Sequence, residues 1–151
     1  MAANDAIALL KADHKEVAEM LEKFETARST KGKLAQQICQ ALTVHAQIEE
    51  EIFYPAAREA LGDEGKDLLD EAKVEHGSLK ELIGQIEGSE PNDELFDAHV
   101  KVLGEYVKHH VKEEEGEMFP KLRKSDMDLV EVGAQLAARK KELMAEMKAA
   151  A

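Results

Sequence analysis

Four stretches of the chain repeat apolar residues at alternating three- and four-residue steps, and in each stretch one histidine interrupts the middle of the stripe. Steps of that size place side chains on one face of an α-helix, so each stripe predicts an amphipathic helix whose buried face carries an imidazole. The first stripe is Ile7, Leu10, His14, Val17, Leu21 and Phe24, begun by a cap at Asn4 or Asp5 and ended by Ser29-Thr30-Lys31-Gly32. The second is Leu34, Ile38, Leu42, His45, Glu49 and Ile52, closing around Pro55 or, if that proline only kinks the helix, at Gly62. The third, Leu69, Ala72, His76, Leu79, Ile83 and Ile86, runs to Gly88-Ser89-Glu90-Pro91-Asn92. The fourth, Phe96, His99, Leu103, Tyr106, His110 and Glu114, follows a cap at Asn92 or Asp93 and ends near Gly116 and Pro120.

Short connections between helices of this length leave antiparallel neighbours as the natural packing. The expected fold class is all-α: an up-down-up-down four-helix bundle over about residues 4–120, within a single domain spanning 1–151. A fifth amphipathic segment, Leu129, Val132, Leu136, Leu143 and Met147, has no metal-ligating side chain on its apolar face. It is read as an additional C-terminal covering helix over about 126–148, packed by several of the six methionines.

Charge narrows the partners. The 32 acidic against 20 basic residues give a net charge of −12, which disfavours nucleic acid or an anionic membrane surface and favours cations. The lone cysteine, Cys39, excludes an internal disulfide and any cysteine-based zinc or iron–sulfur site, and it is read as a small buried hydrophobe. No apolar run approaches the ~20 residues that span a bilayer, and Met1 to Leu10 lacks the pattern of a secretory signal, so a cytoplasmic protein is expected.

One histidine on an apolar face is ordinarily a satisfied core side chain, but four near mid-helix in neighbouring helices can converge. His45 and His110 each carry a glutamate four residues on, Glu49 and Glu114, on the same face. A buried carboxylate is costly unless paired or metal-bound. Laid together without a gap, His45 to Pro55 matches His110 to Pro120 at the histidine, two glutamates, the proline and an aromatic at the ninth step, 65 positions apart, while His14 and His76 lie 62 apart. A helix hairpin is thus used twice. It brings His14, His45, Glu49, His76, His110 and Glu114 as candidate metal ligands, enough for two ions, and imidazole with carboxylate suits iron, manganese or zinc.

These residues, with the endings Phe53-Tyr54-Pro55 and Met118-Phe119-Pro120 and the closing segment through Gly133, Arg139-Lys140-Lys141 and Leu143, make the chain resemble the hemerythrin-like family of HHE cation-binding domains over essentially its whole length. The resemblance implies two Fe ions joined by an oxo or hydroxo bridge, with Mn or Zn as possible substitutes. By position, His14 and His45 would hold one iron, His76 and His110 the other, and Glu49 and Glu114 would bridge. Oxygen-carrying members have a further histidine one turn from the third-helix ligand and a longer histidine-to-aspartate spacing on the fourth helix. Here Ala72 and Lys80 flank His76, and the fourth-helix spacing is four residues to a glutamate. A vacant coordination position is therefore implied, open to a small diatomic molecule or peroxide. The expected function is binding of, or response to, O2, peroxide, NO or iron; the alternatives are a catalase- or peroxidase-like enzyme, a reversible oxygen store, and a metal-free helical interaction module.

The remaining polar residues on or near the stripes take other readings. His109 with Glu113 points about 100° away from the stripe and is read as a solvated pair. His99 lies eleven residues before His110, roughly 16 Å along the axis, and is read as a core or bundle-end histidine. Glu117 could add a terminal carboxylate or remain an exposed helix-end charge, and Tyr106 could pack in the core or support the ligands. Each of Glu49-Glu50-Glu51 and Glu113-Glu114-Glu115 is read as one ligand with two solvated acids.

Overall fold

The computed structural model describes residues 5–150, and all regular structure among them is helical. The Asp5 carboxylate accepts from the Ala8 N–H at 2.7 Å and caps the first helix, α1, Ala6–Thr26. Asn4, the other expected cap, lies outside the described residues. After a short turn follow α2, Lys31–Ile48, α3, Tyr54–Leu61, α4, Lys66–Glu87, α5, Phe96–Glu113, α6, Phe119–Arg123, and α7, Leu129–Ala150.

The prolines do not end their helices. A proline lacks an N–H and its ring crowds the carbonyl four residues back. The chain accommodates both effects with turns wider by one residue: Tyr54 N–H bonds to the Glu49 carbonyl and Phe119 N–H to the Glu114 carbonyl. These π turns, Glu49–Phe53 and Glu114–Met118, join α2 to α3 and α5 to α6 without a break. The second bundle helix thus passes Pro55 and stops at Gly62, whose φ of 58° is the left-handed conformation that favours glycine. The fourth, expected to end near Gly116 and Pro120, instead continues to Arg123. Its expected cap at Asn92 or Asp93 is also corrected: α5 starts after Leu95 with no side-chain cap, and the Asp93 carboxylate accepts from Glu90 N–H at 2.8 Å, closing the preceding loop.

The bundle is therefore α1, α2–α3, α4 and α5–α6 in up-down-up-down order, with α7 laid across α1, α2 and the first π turn. Its apolar interior is split in two. Ile7, Leu10, Ile48, Phe53, Leu122 and Leu136 belong to one cluster, which contains the buried face of α7. Phe24, Ile38, Cys39, Ile83, Phe96 and Leu103 belong to the other. The four stripe histidines lie between them, each flanked along its helix by residues of both clusters. Val132, Leu136 and Leu143 are buried while Leu129 and Met147 are half-buried, so α7 is a covering helix as expected, although Met144 faces solvent. No described helix is long and apolar enough to cross a membrane.

Leu136, on the inward face of α7, is fully buried. Leu136→Ala is expected to lower the unfolding free energy by about 2–5 kcal/mol in urea titrations followed by helical circular dichroism; a cost below about 1 kcal/mol would mean that α7 is not packed as described.

Candidate metal centre

The six polar residues singled out from the stripes meet in the layer between the two apolar clusters. One donor atom from each of His14, His45, Glu49 and Glu114 lies within 4.8 Å of the others, and the same holds for Glu49, His76 and His110. His14 Nε2 is 3.1 Å from Glu114 Oε1 and His45 Nε2 is 3.3 Å from Glu49 Oε1. On the other side His76 Nε2 is 3.1 Å from Glu49 Oε1 and His110 Nε2 is 3.2 Å from Glu114 Oε2. All four imidazoles therefore aim Nε2 inward at two buried carboxylates.

Their outward nitrogens explain this orientation. Nδ1 of His14 is 2.6 Å from Glu115, that of His45 is 3.0 Å from Asp13, that of His76 is 2.8 Å from Glu50, and that of His110 is 2.7 Å from Glu75. An Nδ1–H donated to a carboxylate leaves the Nε2 lone pair of a neutral imidazole free for a cation and raises its basicity. Glu50 and Glu115, expected to be solvated, are thus corrected to partners of the histidines. Asp13 and Glu75 were not singled out in the sequence. They immediately precede His14 and His76 and share the 62-residue offset, which is the signal that could have found them.

Tyr54 is the main addition. Its hydroxyl lies 2.6 Å from Glu114 Oε2, 3.2 Å from Glu49 Oε1 and 3.1 Å from Nε2 of both His76 and His110. Five residues beyond Glu49 on a regular α-helix it would point about 140° away; the first π turn brings it back to the same face. The matching residue of the second copy, Phe119, has no hydroxyl and lies parallel to the His14 ring, with centroids 6.1 Å apart. The two halves consequently differ. His14 Nε2, His45 Nε2, Glu49 Oε2 and Glu114 Oε1 are buried with no hydrogen-bond partner. Four such atoms in one group are costly and form a nitrogen–oxygen donor set suited to a cation.

Other candidates fall away from the centre. Tyr106 is 48% exposed rather than packed in the core, and Glu117 is exposed. His109 is a surface histidine paired with Glu113 and 3.5 Å from Glu75, while His99 is half-buried and belongs to neither donor group. A cavity of about 350 Å³ opens between α2 and α4 and reaches all four site histidines; Leu42, Leu79, Ile83 and Val107 give it apolar walls. Lys80, which lines it, donates to Glu50 at 2.5 Å.

Burial disfavours the charged forms of His45, His110 and Glu49, yet in these three the neighbours outweigh it. For His45, burial is overcome by the Glu49 charge and by hydrogen bonding to Asp13, which hold the imidazolium up to about 10. For His110, burial yields to the Glu114 carboxylate 3.2 Å away and to the charge of Glu49, giving about 11. Burial would raise Glu49, but the His45 charge and the close imidazoles of His110 and His76 keep it well below the usual carboxylate range. Burial, then the charges of Glu49 and Glu114, push the Tyr54 phenol well above its ordinary value. Outside the layer, burial and the Glu87 charge push the Cys39 thiol up to about 12, as befits an inert core residue.

The sequence profile of the Hemerythrin HHE cation binding domain matches residues 5–122. An uncharacterised hemerythrin-like protein of Schizosaccharomyces pombe is 27% identical over 114 residues, 74% of this chain and 56% of that protein. A protein of Nostoc sp. described as a DNA nickase is 35% identical over 88 residues, 58% of this chain and 24% of that protein. The chain thus spans less than two thirds of the length of either of these relatives. A crystal structure of a Hemerythrin HHE cation binding domain-containing protein from Mycobacterium kansasii superposes with a TM-score of 0.79 at 21% identity, covering 94% of this chain and 88% of that one.

The protonated imidazoles give the metal-depleted fold a definite pH response. Folded values of about 10 for His45 and 11 for His110 lie above the ordinary 6.5. Their stabilising contribution is therefore complete below pH ~6.5 and is lost as the pH rises through about 10 and then 11. Chelator-treated protein should show a thermal midpoint that falls across this window, with a shallower fall in His45→Gln; a midpoint that is flat or rising would contradict the assignment.

Proposed function

Because the chain belongs to the hemerythrin HHE cation-binding family, we propose that its polar layer holds two iron ions and that the protein senses or handles dioxygen, nitric oxide or peroxide. The observation carrying this reading is the convergence of four Nε2 atoms on two buried carboxylates, with four of those donor atoms otherwise unsatisfied. His14 and His45 would hold one ion and His76 and His110 the other, with Glu49 and Glu114 shared between them. Manganese or zinc could use the same donors. Tyr54 would add its phenol oxygen to the ion at His76 and His110. No equivalent oxygen serves the ion at His14 and His45, where Phe119 stands instead.

Bound iron would supply one-electron chemistry towards a small oxidant or nitric oxide. The chain's own residues select and position. Asp13, Glu50, Glu75 and Glu115 hold the imidazoles in the ligating orientation. Leu42, Leu79 and Ile83 present an apolar approach that suits small uncharged molecules and disfavours ions. The net charge of −12 supports a small-molecule rather than a nucleic-acid partner, and the lone buried Cys39 fits a reducing compartment such as the cytoplasm.

Reconstitution of metal-depleted protein with ferrous iron, followed by exposure to air, tests the reading. Wild type is expected to retain about two irons per chain and His45→Ala/His110→Ala fewer than about one. A visible phenolate-to-iron absorption band should appear in wild type and vanish in Tyr54→Phe while iron is retained. Uptake below about one iron per chain, unchanged in the double variant, would defeat the metal-binding reading. Peroxide decomposition faster than by free iron would move the assignment to a peroxide-consuming enzyme.

A further inference from the structure

The two hairpin copies agree closely around the metal centre but are supported differently from outside. Asp13 and Glu75 occupy matching positions, each carboxylate accepting from Nδ1 of the histidine of the following helix, His45 and His110. The Asp13 side chain is 8% exposed and that of Glu75 is 24% exposed. The difference comes from α7. Lys140 Nζ lies 2.5 Å from Asp13 Oδ1, while Asp13 Oδ2 accepts from His45 Nδ1 at 3.0 Å. Among the described residues no amine pairs with Glu75; beyond it stands the surface imidazole of His109 at 3.5 Å. The neighbouring residue of α7, Arg139, holds Glu51 in the first π turn through contacts of 2.9 and 3.4 Å. Two consecutive residues of α7 therefore grip the chain on both sides of the His14–His45 half of the centre. This helix lies beyond the residues matched by the family profile, 5–122.

We propose that Lys140 is a positioning residue for the metal centre: through Asp13 it fixes the His45 imidazole, so that the ion at His14 and His45 depends on α7 while the ion at His76 and His110 does not. The physical argument is one of satisfaction. Asp13 is a buried carboxylate with two oxygens to satisfy, one taken by His45 and one by Lys140. Without the ammonium, the carboxylate is left with an unpaired buried oxygen and turns towards solvent, releasing the restraint on His45. On the opposite side Lys80 of α4 plays the corresponding part for Glu50 and His76, from within the bundle itself. The inference rests on the two-ion reading above.

Cobalt(II) titration of metal-depleted protein, read by visible absorption and by equilibrium dialysis, separates the two proposals. Wild type is expected to bind two cobalt ions per chain, and His110→Ala and His45→Ala should each isolate one of the two sites. Adding Lys140→Met to His110→Ala should weaken the remaining cobalt about 10- to 100-fold, the range typical of lost outer partners. Adding it to His45→Ala should change nothing, and Lys140→Arg should restore the affinity in the first background. Helicity and thermal unfolding of each metal-depleted variant verify folding; if Lys140→Met proves unstable, Lys140→Gln should give the same site-selective pattern. Equal weakening in both backgrounds, or none in either, would overturn the role of Lys140 while leaving the two-ion reading intact. Failure of wild type to bind cobalt would remove both.

Discussion

Two carboxylates buried in the middle of a helical bundle dictate much of what surrounds them. Glu49 and Glu114 are almost completely shielded from solvent, where an uncompensated charge costs several kcal/mol. Their compensation propagates outward in alternating layers. Glu49 faces His45, which faces Asp13, which faces Lys140; Glu49 also faces His76, which faces Glu50, which faces Lys80. Both of these rows, which start from Glu49, begin at the centre with an acid and end at the periphery with an amine. Low dielectric makes every link matter, since removing one member leaves its neighbour buried and unpaired.

The same layer organises the apolar interior. Because no leucine or isoleucine occupies the histidine level, the hydrophobic residues pack as two clusters on either side of it. The π turns sit at the boundary, and they do two things at once there. They admit Pro55 and Pro120 without breaking the helices, and they shift the following side chains so that positions 54 and 119 look inward. Tyr54 and Phe119 therefore touch both the polar layer and the larger apolar cluster.

What could be read from the sequence follows from which periodicity governs each residue. The helices, their order and the convergence of His14, His45, Glu49, His76, His110 and Glu114 obey the regular α-helical step, and they were legible. Tyr54 was not, because its inward position depends on a turn five residues wide. Tyr106 obeys the regular step on the edge of its stripe, yet the bundle leaves it exposed, because α5 turns that edge to solvent. Glu50 and Glu115 stand one position from a ligand, about 100° round the helix, which suggests a solvated face until a neighbouring helix brings a histidine nitrogen to that flank. Asp13 and Glu75 were hidden for the same reason, although the internal repeat marks them once their partners are known.

The repeat has a consequence that concerns chain connectivity. Two identical hairpins associating about a two-fold axis could already present four histidines and two glutamates, but every feature of one half would recur in the other. Continuity of the polypeptide removes that obligation. With both copies on one chain, a hydroxyl can stand at position 54 and a bare ring at 119, and a single extra helix can brace one half without a counterpart on the other. Inequivalence of the two halves is thus something that an assembly of identical hairpins could not encode, and a tandem chain can.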